Sequence, residues 1–524
     1  MLFDLIIHGG QIIDGTGSSR ALADVGIRGD RIAAVGRLES AEAAARIDAT
    51  GRIVAPGFID VHNHTDGWLL KVPHLTSKTR QGFTSEVIMS DGISYAPLSP
   101  LNAPDWMYYL RSLNALRMDE YEGWHSIAEY MDCINGRNVQ NALPQVPYAN
   151  LRALVHGFGP GAMDDFQLRS IRKEVELGME AGCTGISTGL DYIVQCYSTT
   201  AELVDACRAM APQDGIYVTH IRYKSGMLEA LEEAAEIGRR AGVKVHISHL
   251  KGQSPAQVDE ILEFLDRTRK DVDITFDVYP YQPGSTMLSF LLPYQVWENG
   301  PLGALARLRE PFMRELFASG LRSYRLNLDQ IHVAWVCGRE NVPLQGRKLS
   351  DIVAETGKTP EDALYDLLIE ERLAVLLVFD EGDDRLVEPF LQHDLYMMGT
   401  DGIYFPDSVV HPRQYGSSGR LLGSCVRDSR LFSLEDAVHR MTGRPAERFG
   451  LAGRGVIAEN HFADIAIFNP EIVQDHATFA EPHQDTEGIE TVLVNGTVIL
   501  RDSQEVELAA DSLPGRSLKY RQEG

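Results

Sequence analysis

The stretch IYVTHIRYKSGMLEALEEAAEIGRRAGVKVHISH, residues 216–249, carries the repeat unit from which the rest of the chain can be read. An apolar run ends in His220. A helical pattern with apolar residues at every third or fourth position follows, and a second apolar run ends in His249. The alternation continues on both sides. AELVDACRAMA before it and AQVDEILEFLDRTRK after it read as helices, and VDITFDVYPY reads as a strand. Strands alternating with helices imply a parallel sheet with crossover connections. No GxGxxG stands at an early strand–helix turn, which favours a (β/α)8 TIM-like barrel over an open dinucleotide-binding sheet. Residues from about 283 to 349, rich in Pro, Trp and irregular helix, break the rhythm and predict an insertion over the barrel.

The chain ends have another texture. LFDLIIHGGQIIDG and ADVGIRGDRIAAVG near the start, and FADIAIFNP and IETVLVNGTVIL near the end, are short apolar runs between Gly and Asn turns. Asn495-Gly496 marks a hairpin. We expect both ends to meet in one small β-sandwich, residues 1–55 and 459–524, flanking an α/β barrel domain over 56–458.

Composition bounds what this fold can do. With 524 residues, 44% hydrophobic and 23% charged, the chain is an ordinary globular one. Lys and Arg total 49 against 74 Asp and Glu, a net charge of -25, which opposes nucleic acid as a partner. Six cysteines without CxxC spacing suit reduced thiols. MLFDLIIHGG lacks a basic leader region, and no apolar run approaches the ~20 residues of a membrane span. A cytoplasmic enzyme for a small molecule is the expectation, with homo-oligomerisation left open.

Chemistry gathers where apolar runs end. In IVAPGFIDVHNHTD (53–66), His62 and His64 stand two apart, so they project from one face of a strand exit. Two imidazoles on one face are half a metal site. A bare HxH also fits a polar strand exit. His220 and His249, each closing its own strand where barrel enzymes keep catalytic groups, tip the balance toward metal. His246, three residues before His249, faces the other side of its strand and reads as packing or support. LYMMGTDG (395–402) places Asp401 at another strand end, where a carboxylate can ligate metal and accept a proton. Alone, Asp-Gly would read as a turn.

The order HxH, His, His, Asp at successive strand ends resembles the amidohydrolase superfamily. Within it, the chain is similar almost end to end to the D-aminoacylase (N-acyl-D-amino-acid deacylase) family. The matching segments are IIHGGQIIDGTG (6–17), GISTGLDY (185–192), YVTHIR (217–222), ISHLKG (247–252), DVYPYQPGST (277–286), GTDG (399–402), HPRQYG (411–416) and VLVNG (492–496). DVYPYxxGST and HPRxYG are far more specific than HxH. The resemblance implies one or two divalent ions, zinc above all. His220, His249 and Asp91 would hold one, and His62, His64 and Asp401 a second. Members of the family commonly carry a metal-bridging Cys where GFTSEVIMSDGISYAP (82–97) places Asp91. A carboxylate is the harder ligand, so metal preference and substrate can differ from those of the family. Asp401 would move the proton from the nucleophilic water to the leaving nitrogen of an amide. Lys251, Tyr192, Tyr281 and Arg413 match the residues that clamp the substrate α-carboxylate, a task suited to the guanidinium fork. The expected substrate is an N-acyl amino acid or related small-molecule amide, its D configuration resting on the resemblance alone.

Two alternatives stand beside this. One is a cyclic amide or imide hydrolase, hydantoinase- or dihydroorotase-like, against which the lack of a lysine at a suitable strand end for a carboxylated bridge counts. The other is a non-catalytic barrel scaffold, against which the retained histidines and Asp401 count.

Overall fold

The computed structural model describes residues 2–324, 326–380 and 382–522. Its centre is eight parallel strands, β1 (Phe58–Asp60), β2 (Phe83–Ile88), β3 (Asn141–Pro144), β4 (Gly185–Gly189), β5 (Ile216–His220), β6 (Lys244–Ile247), β7 (Ile274–Val278) and β8 (Tyr396–Met398). They form two all-parallel sheets: β3-β2-β1, and a six-stranded one in which the two-residue strand Val146–Pro147 precedes β4 through β8 in chain order. Hydrogen bonds link the sheets at both edges. Val61 N donates to Met398 O at 3.3 Å, and Thr184 N to Pro144 O at 3.0 Å. β4 and β5 are buried along their whole length, as expected of strands covered on both faces. Ile59, Val61, Val87, Leu143, Ile216, Val218 and Met397, drawn from strands of both sheets, pack together with Phe449 and Leu451.

The crossover helices follow from their sequences. Met227–Ala241 buries Ala230, Leu231, Ala234, Ala235, Ile237, Gly238 and Ala241, one apolar stripe. It stops at Gly242, whose φ of 71° suits a residue without Cβ. Thr199 and Ser254 cap the helices Thr200–Met210 and Pro255–Thr268 by accepting from the backbone N–H groups of Glu202 and Gln257.

Residues 279–395, between β7 and β8, carry their own antiparallel sheet in the order Ser285–Met287, Val375–Phe379, Ile331–Val336. The insertion therefore reaches at least to Phe379 and does not end near 349. VLLVF (375–379) is a continuous apolar run that reads equally as a barrel strand. Only its antiparallel pairing, Val333 with Leu377, assigns it elsewhere.

Strands from the two chain ends meet in one sheet. A seven-stranded sheet mixes Gln11–Ile12, Ala21–Leu22 and Ile53–Pro56 with Ile465–Phe468, Ile489–Val494, Thr497–Arg501 and Gln504–Glu505. Its central joint pairs Ala55 with Ala466. A four-stranded sheet comes from residues 3–48 alone. Leu5, Ile7, Val25 and Ile27 of that sheet pack with Ile12, Val54, Ile465, Ile467 and Leu493 of the other. Asn495 and Gly496 turn the hairpin between Ile489–Val494 and Thr497–Arg501 with φ of 48° and 77°. Among the described residues, no helix is long and apolar enough to cross a membrane.

Candidate active site

The histidines and aspartates expected to bind metal all sit at or just beyond the C-terminal ends of parallel strands. His62 and His64 follow β1, His220 ends β5, His249 follows β6, and Asp401 follows β8. Asp91 follows β2 in a short turn, Ser90–Gly92, with φ of 58°. His249 and Asp401 also have positive φ, 39° and 47°. Side chains other than Gly rarely hold this region, and such strain concentrates at functional sites. At Gly92 (φ 68°) a Cβ would meet Gln195 and stand 2.8 Å from Thr188 Cα and 2.9 Å from Ser187 O, so the SDG turn requires glycine on two counts.

Asp91 stands between the two histidine pairs. Its Oδ1 is 3.6 Å from His62 Nε2 and 3.9 Å from His249 Nε2; its Oδ2 is 3.8 Å from His64 Nε2 and 3.9 Å from His220 Nδ1. Asp401 Oδ1 lies 3.6 Å from His62 Nε2 and 3.4 Å from His64 Nε2. His220 Nδ1 and His249 Nε2 are 3.0 Å apart. Two donor sets result, His62–His64–Asp91 and Asp91–His220–His249, each with ligand atoms within 4.8 Å of one another. Imidazole nitrogen with carboxylate oxygen suits zinc or another first-row divalent ion. His62 Nε2 and Asp91 Oδ1 are buried without a hydrogen-bond partner among the described residues, as atoms reserved for a cation would be.

The electrostatics agree. Burial disfavours the charged form of His62, yet Asp277, Asp91 and Asp401 overcome it and raise its pKa to about 10. These carboxylates strongly favour positive charge at this spot. Burial pushes Asp401 up, but Arg413, His64, His249 and His62 outweigh it and hold the carboxyl well below its usual range. Burial lowers His249 to about 4, leaving it a neutral donor.

Two carboxylates at the site are absent from the sequence-derived set. Asp277 Oδ2 faces His62 Nδ1 at 3.5 Å, and Asp191 Oδ2 faces His220 Nε2 at 3.6 Å. Each backs the ring nitrogen opposite the one directed at Asp91. Asp191 is held by Tyr294, whose hydroxyl donates to Oδ1 at 3.2 Å. His246 acts as support: its Nε2 is 3.0 Å from Asp277 Oδ2. Asp191 sits inside GLDY and Asp277 opens DVYPY, so both lie in the segments that resemble the family.

A cavity of about 390 Å³ opens over the donors. His64, Asp91, His220, His249 and Asp401 line it, with apolar walls from Leu113, Met227, Phe290, Leu291 and Phe379. The four expected clamp residues divide. Lys251 and Tyr192 line the cavity. Tyr281 does not: its hydroxyl donates to Asp475 Oδ2 at 2.5 Å, and Tyr279 takes the cavity position instead. Arg413 is fully buried behind the site, with Nη1 2.8 Å from Asp401 Oδ2 and its guanidinium over the Tyr279 ring. Lys251 Nζ donates to Tyr279 Oη at 2.6 Å and to the carbonyls of Tyr281, Gln282 and Pro283. The tyrosines exchange because β7 ends at Val278, and beyond it the two-residue parity of a strand no longer applies.

Imidazole and carboxylate donors on the rim of a parallel α/β sheet define a metallohydrolase type of site. The amidohydrolase family profile matches residues 45–300 and 391–500. The chain is 36% identical to the D-aminoacylase of Alcaligenes xylosoxydans xylosoxydans over 505 residues, 95% of each protein. It is 33% identical to the N-acyl-D-aspartate deacylase of the same organism, over 94% of this chain and 91% of that one. Its fold matches the crystal structure of N-acyl-D-glutamate deacylase from Bordetella bronchiseptica, solved with zinc and a phosphonate mimic of the tetrahedral intermediate. The TM-score is 0.83 at 32% identity, covering 99% of this chain and 100% of that one. The chain belongs to the amidohydrolase family, in its D-aminoacylase branch.

Proposed function

We propose that this protein is a metal-dependent amide hydrolase that deacylates N-acyl-D-amino acids to a carboxylic acid and a free D-amino acid. The observation that carries this is the convergence of four histidines and two aspartates from five strand ends at one cavity with apolar walls. A ring-opening cyclic amidase is disfavoured. The relatives at 33% and 36% identity over nearly the whole chain are acyl-D-amino-acid deacylases, and the bridging position is held by Asp91 and not by a lysine. Lys78, buried nearby, is taken up by Asp60 and Glu86.

His220, His249 and Asp91 would hold one divalent ion, and His62, His64, Asp91 and Asp401 a second. Such an ion, zinc by its donors, supplies Lewis acidity toward the amide carbonyl and makes coordinated water more acidic. Asp401 does the proton work. It is ionised, lines the cavity, and can take the proton of the attacking water and return it to the leaving nitrogen. Arg413 keeps that carboxylate charged and fixes its second oxygen. Lys251 and Tyr192, with Tyr279 in place of Tyr281, orient the substrate carboxylate, and Arg413 acts on it through Asp401. Lys251 is the one lysine or arginine lining the cavity among the described residues. Burial and the nearby Arg413 hold its pKa well below the usual lysine range, and a substrate carboxylate beside it would favour its charged form, which supports an anionic substrate flanked by apolar groups.

In the same reading the eight strands close as a (β/α)8 barrel over about 56–458, supported by the hydrogen bonds at both sheet edges. Residues 1–55 and 459–524 form a β-sandwich, supported by the apolar cluster shared between the two terminal sheets. Six unpaired thiols support a cytoplasmic setting.

The test is metal content together with amine release from matched N-acyl D- and L-amino acids, for wild type and Asp401→Asn. One or two metals per chain with D-selective release that the variant loses is the expected result. A metal-loaded protein inert toward every member would defeat the deacylase assignment, and a metal-free inert one would restore the scaffold.

A further inference from the structure

Asp277 contacts a member of each histidine pair, His62 and His249, yet it does not line the cavity over the donors. It lies in β7, fully buried. Its Oδ2 faces His62 Nδ1 at 3.5 Å and His246 Nε2 at 3.0 Å, while its Oδ1 accepts from His249 N at 2.9 Å. We propose that Asp277 is a positioning residue that sets the ligand form of both histidine pairs, fixing the tautomer of His62 through its ring and the backbone of His249 through its N–H. This rests on the metal-dependent reading of the site.

The chemistry follows from what each group can offer. A neutral imidazole has one N–H and one lone pair, and a carboxylate only accepts. When a metal takes the place of the second ring proton, His62 facing Asp277 keeps its hydrogen on Nδ1, which leaves the lone pair of Nε2 toward Asp91 and Asp401, each 3.6 Å away. His246 is committed elsewhere. Its Nδ1 is 2.8 Å from Thr275 Oγ1, so the hydroxyl can donate to it while Nε2–H donates to Asp277. His246 thereby anchors the carboxylate and does not compete for the metal. On the other oxygen, the His249 N–H holds a residue whose φ of 39° lies in the left-handed region, a conformation that costs about 1–3 kcal/mol unless its surroundings enforce it.

Gly399 is an independent mark of the same arrangement. A Cβ there would stand 2.7 Å from Asp277 Oδ1, 2.8 Å from its Cγ and 2.8 Å from His62 Cβ. The space just past β8 is therefore left open for the contact between Asp277 and His62, and alanine would drive the two apart.

Asp277→Asn is nearly isosteric but adds a donor. An amide N–H facing His62 Nδ1 makes that nitrogen the acceptor and moves the ring hydrogen to Nε2, the metal-facing side. We expect zinc affinity, measured by chelator competition on the purified full-length protein, to fall about 10–100-fold for at least one ion. The visible spectrum of the Co²⁺-substituted variant should change with it, a signature that loss of packing alone would not give. Gly399→Ala, with the carboxylate intact, should weaken zinc in the same direction, and it carries the test if Asp277→Asn fails to fold. Wild-type zinc affinity and Co²⁺ spectrum in whichever of these variants folds would overturn the positioning role and leave the hydrolase reading standing. A wild type that binds no zinc would remove both together.

Discussion

The two histidine pairs reach the same aspartate by different routes. His62 and His64 leave one strand two residues apart, so a single stretch of backbone sets their spacing. His220 and His249 come from neighbouring strands and depend on register. β5 and β6 pair Thr219 with Ile247. Continuing that register sets His220 beside Ser248, and the left-handed backbone at His249 brings its ring back to within 3.0 Å of His220. One pair is local and cheap to specify; the other exists only once the sheet has formed and one residue is held in an unfavourable conformation. The second pair and His64 border the cavity, whereas His62 lies behind them.

That difference predicts a graded response to perturbation. The largest effect belongs to Asp401→Asn, which removes the proton carrier and spares the Asp91–His220–His249 donors. We expect kcat to drop about 10²–10⁴-fold with metal still bound there, read by steady-state kinetics beside metal analysis. Asp91→Asn comes next, because Asp91 faces all four histidines; metal content should fall at both positions, where His62→Ala spares the cavity-lining pair. Retention of full metal by Asp91→Asn would show that each pair works independently. Chelation is smaller and thermodynamic. Removing zinc present at about 100 times its Kd should cost about 2.7 kcal/mol of stability, seen as a lower Tm, and the loss should shrink in Asp91→Asn. Gly92→Ala is the subtlest, a destabilisation of about 1–3 kcal/mol from left-handed backbone and backbone contacts at 2.8 and 2.9 Å, measured by denaturant unfolding.

The ligands were legible because each ends an apolar run. His62, His64, His220, His249 and Asp401 could be placed at strand exits from patterning alone, and Asp91 by similarity of its segment. What patterning could not supply is contact across strands. Asp277 sits inside the strand Ile274–Val278 and looks like any inward polar residue until His62, on the far side of β8, is seen opposite it. Tyr279 and Tyr281 differ only in where β7 stops. Arg413 is well placed to bind a carboxylate and does so, but the carboxylate is Asp401. VLLVF at 375–379 has the composition of a barrel strand, and only its partners tell it apart.

Ile53–Pro56, the strand that leads into His62, has as its antiparallel partner Ile465–Phe468. During synthesis at roughly 5–20 residues per second, that partner emerges on the order of 20–80 s later. Throughout this interval an apolar strand at the head of the metal site lacks half its sheet, the kind of edge that recruits other chains. Production of the active protein is thus tied to how fast the nascent chain is completed and how well it is shielded meanwhile. Slow translation or scarce chaperone should lower the yield of active protein before any property of the finished enzyme does.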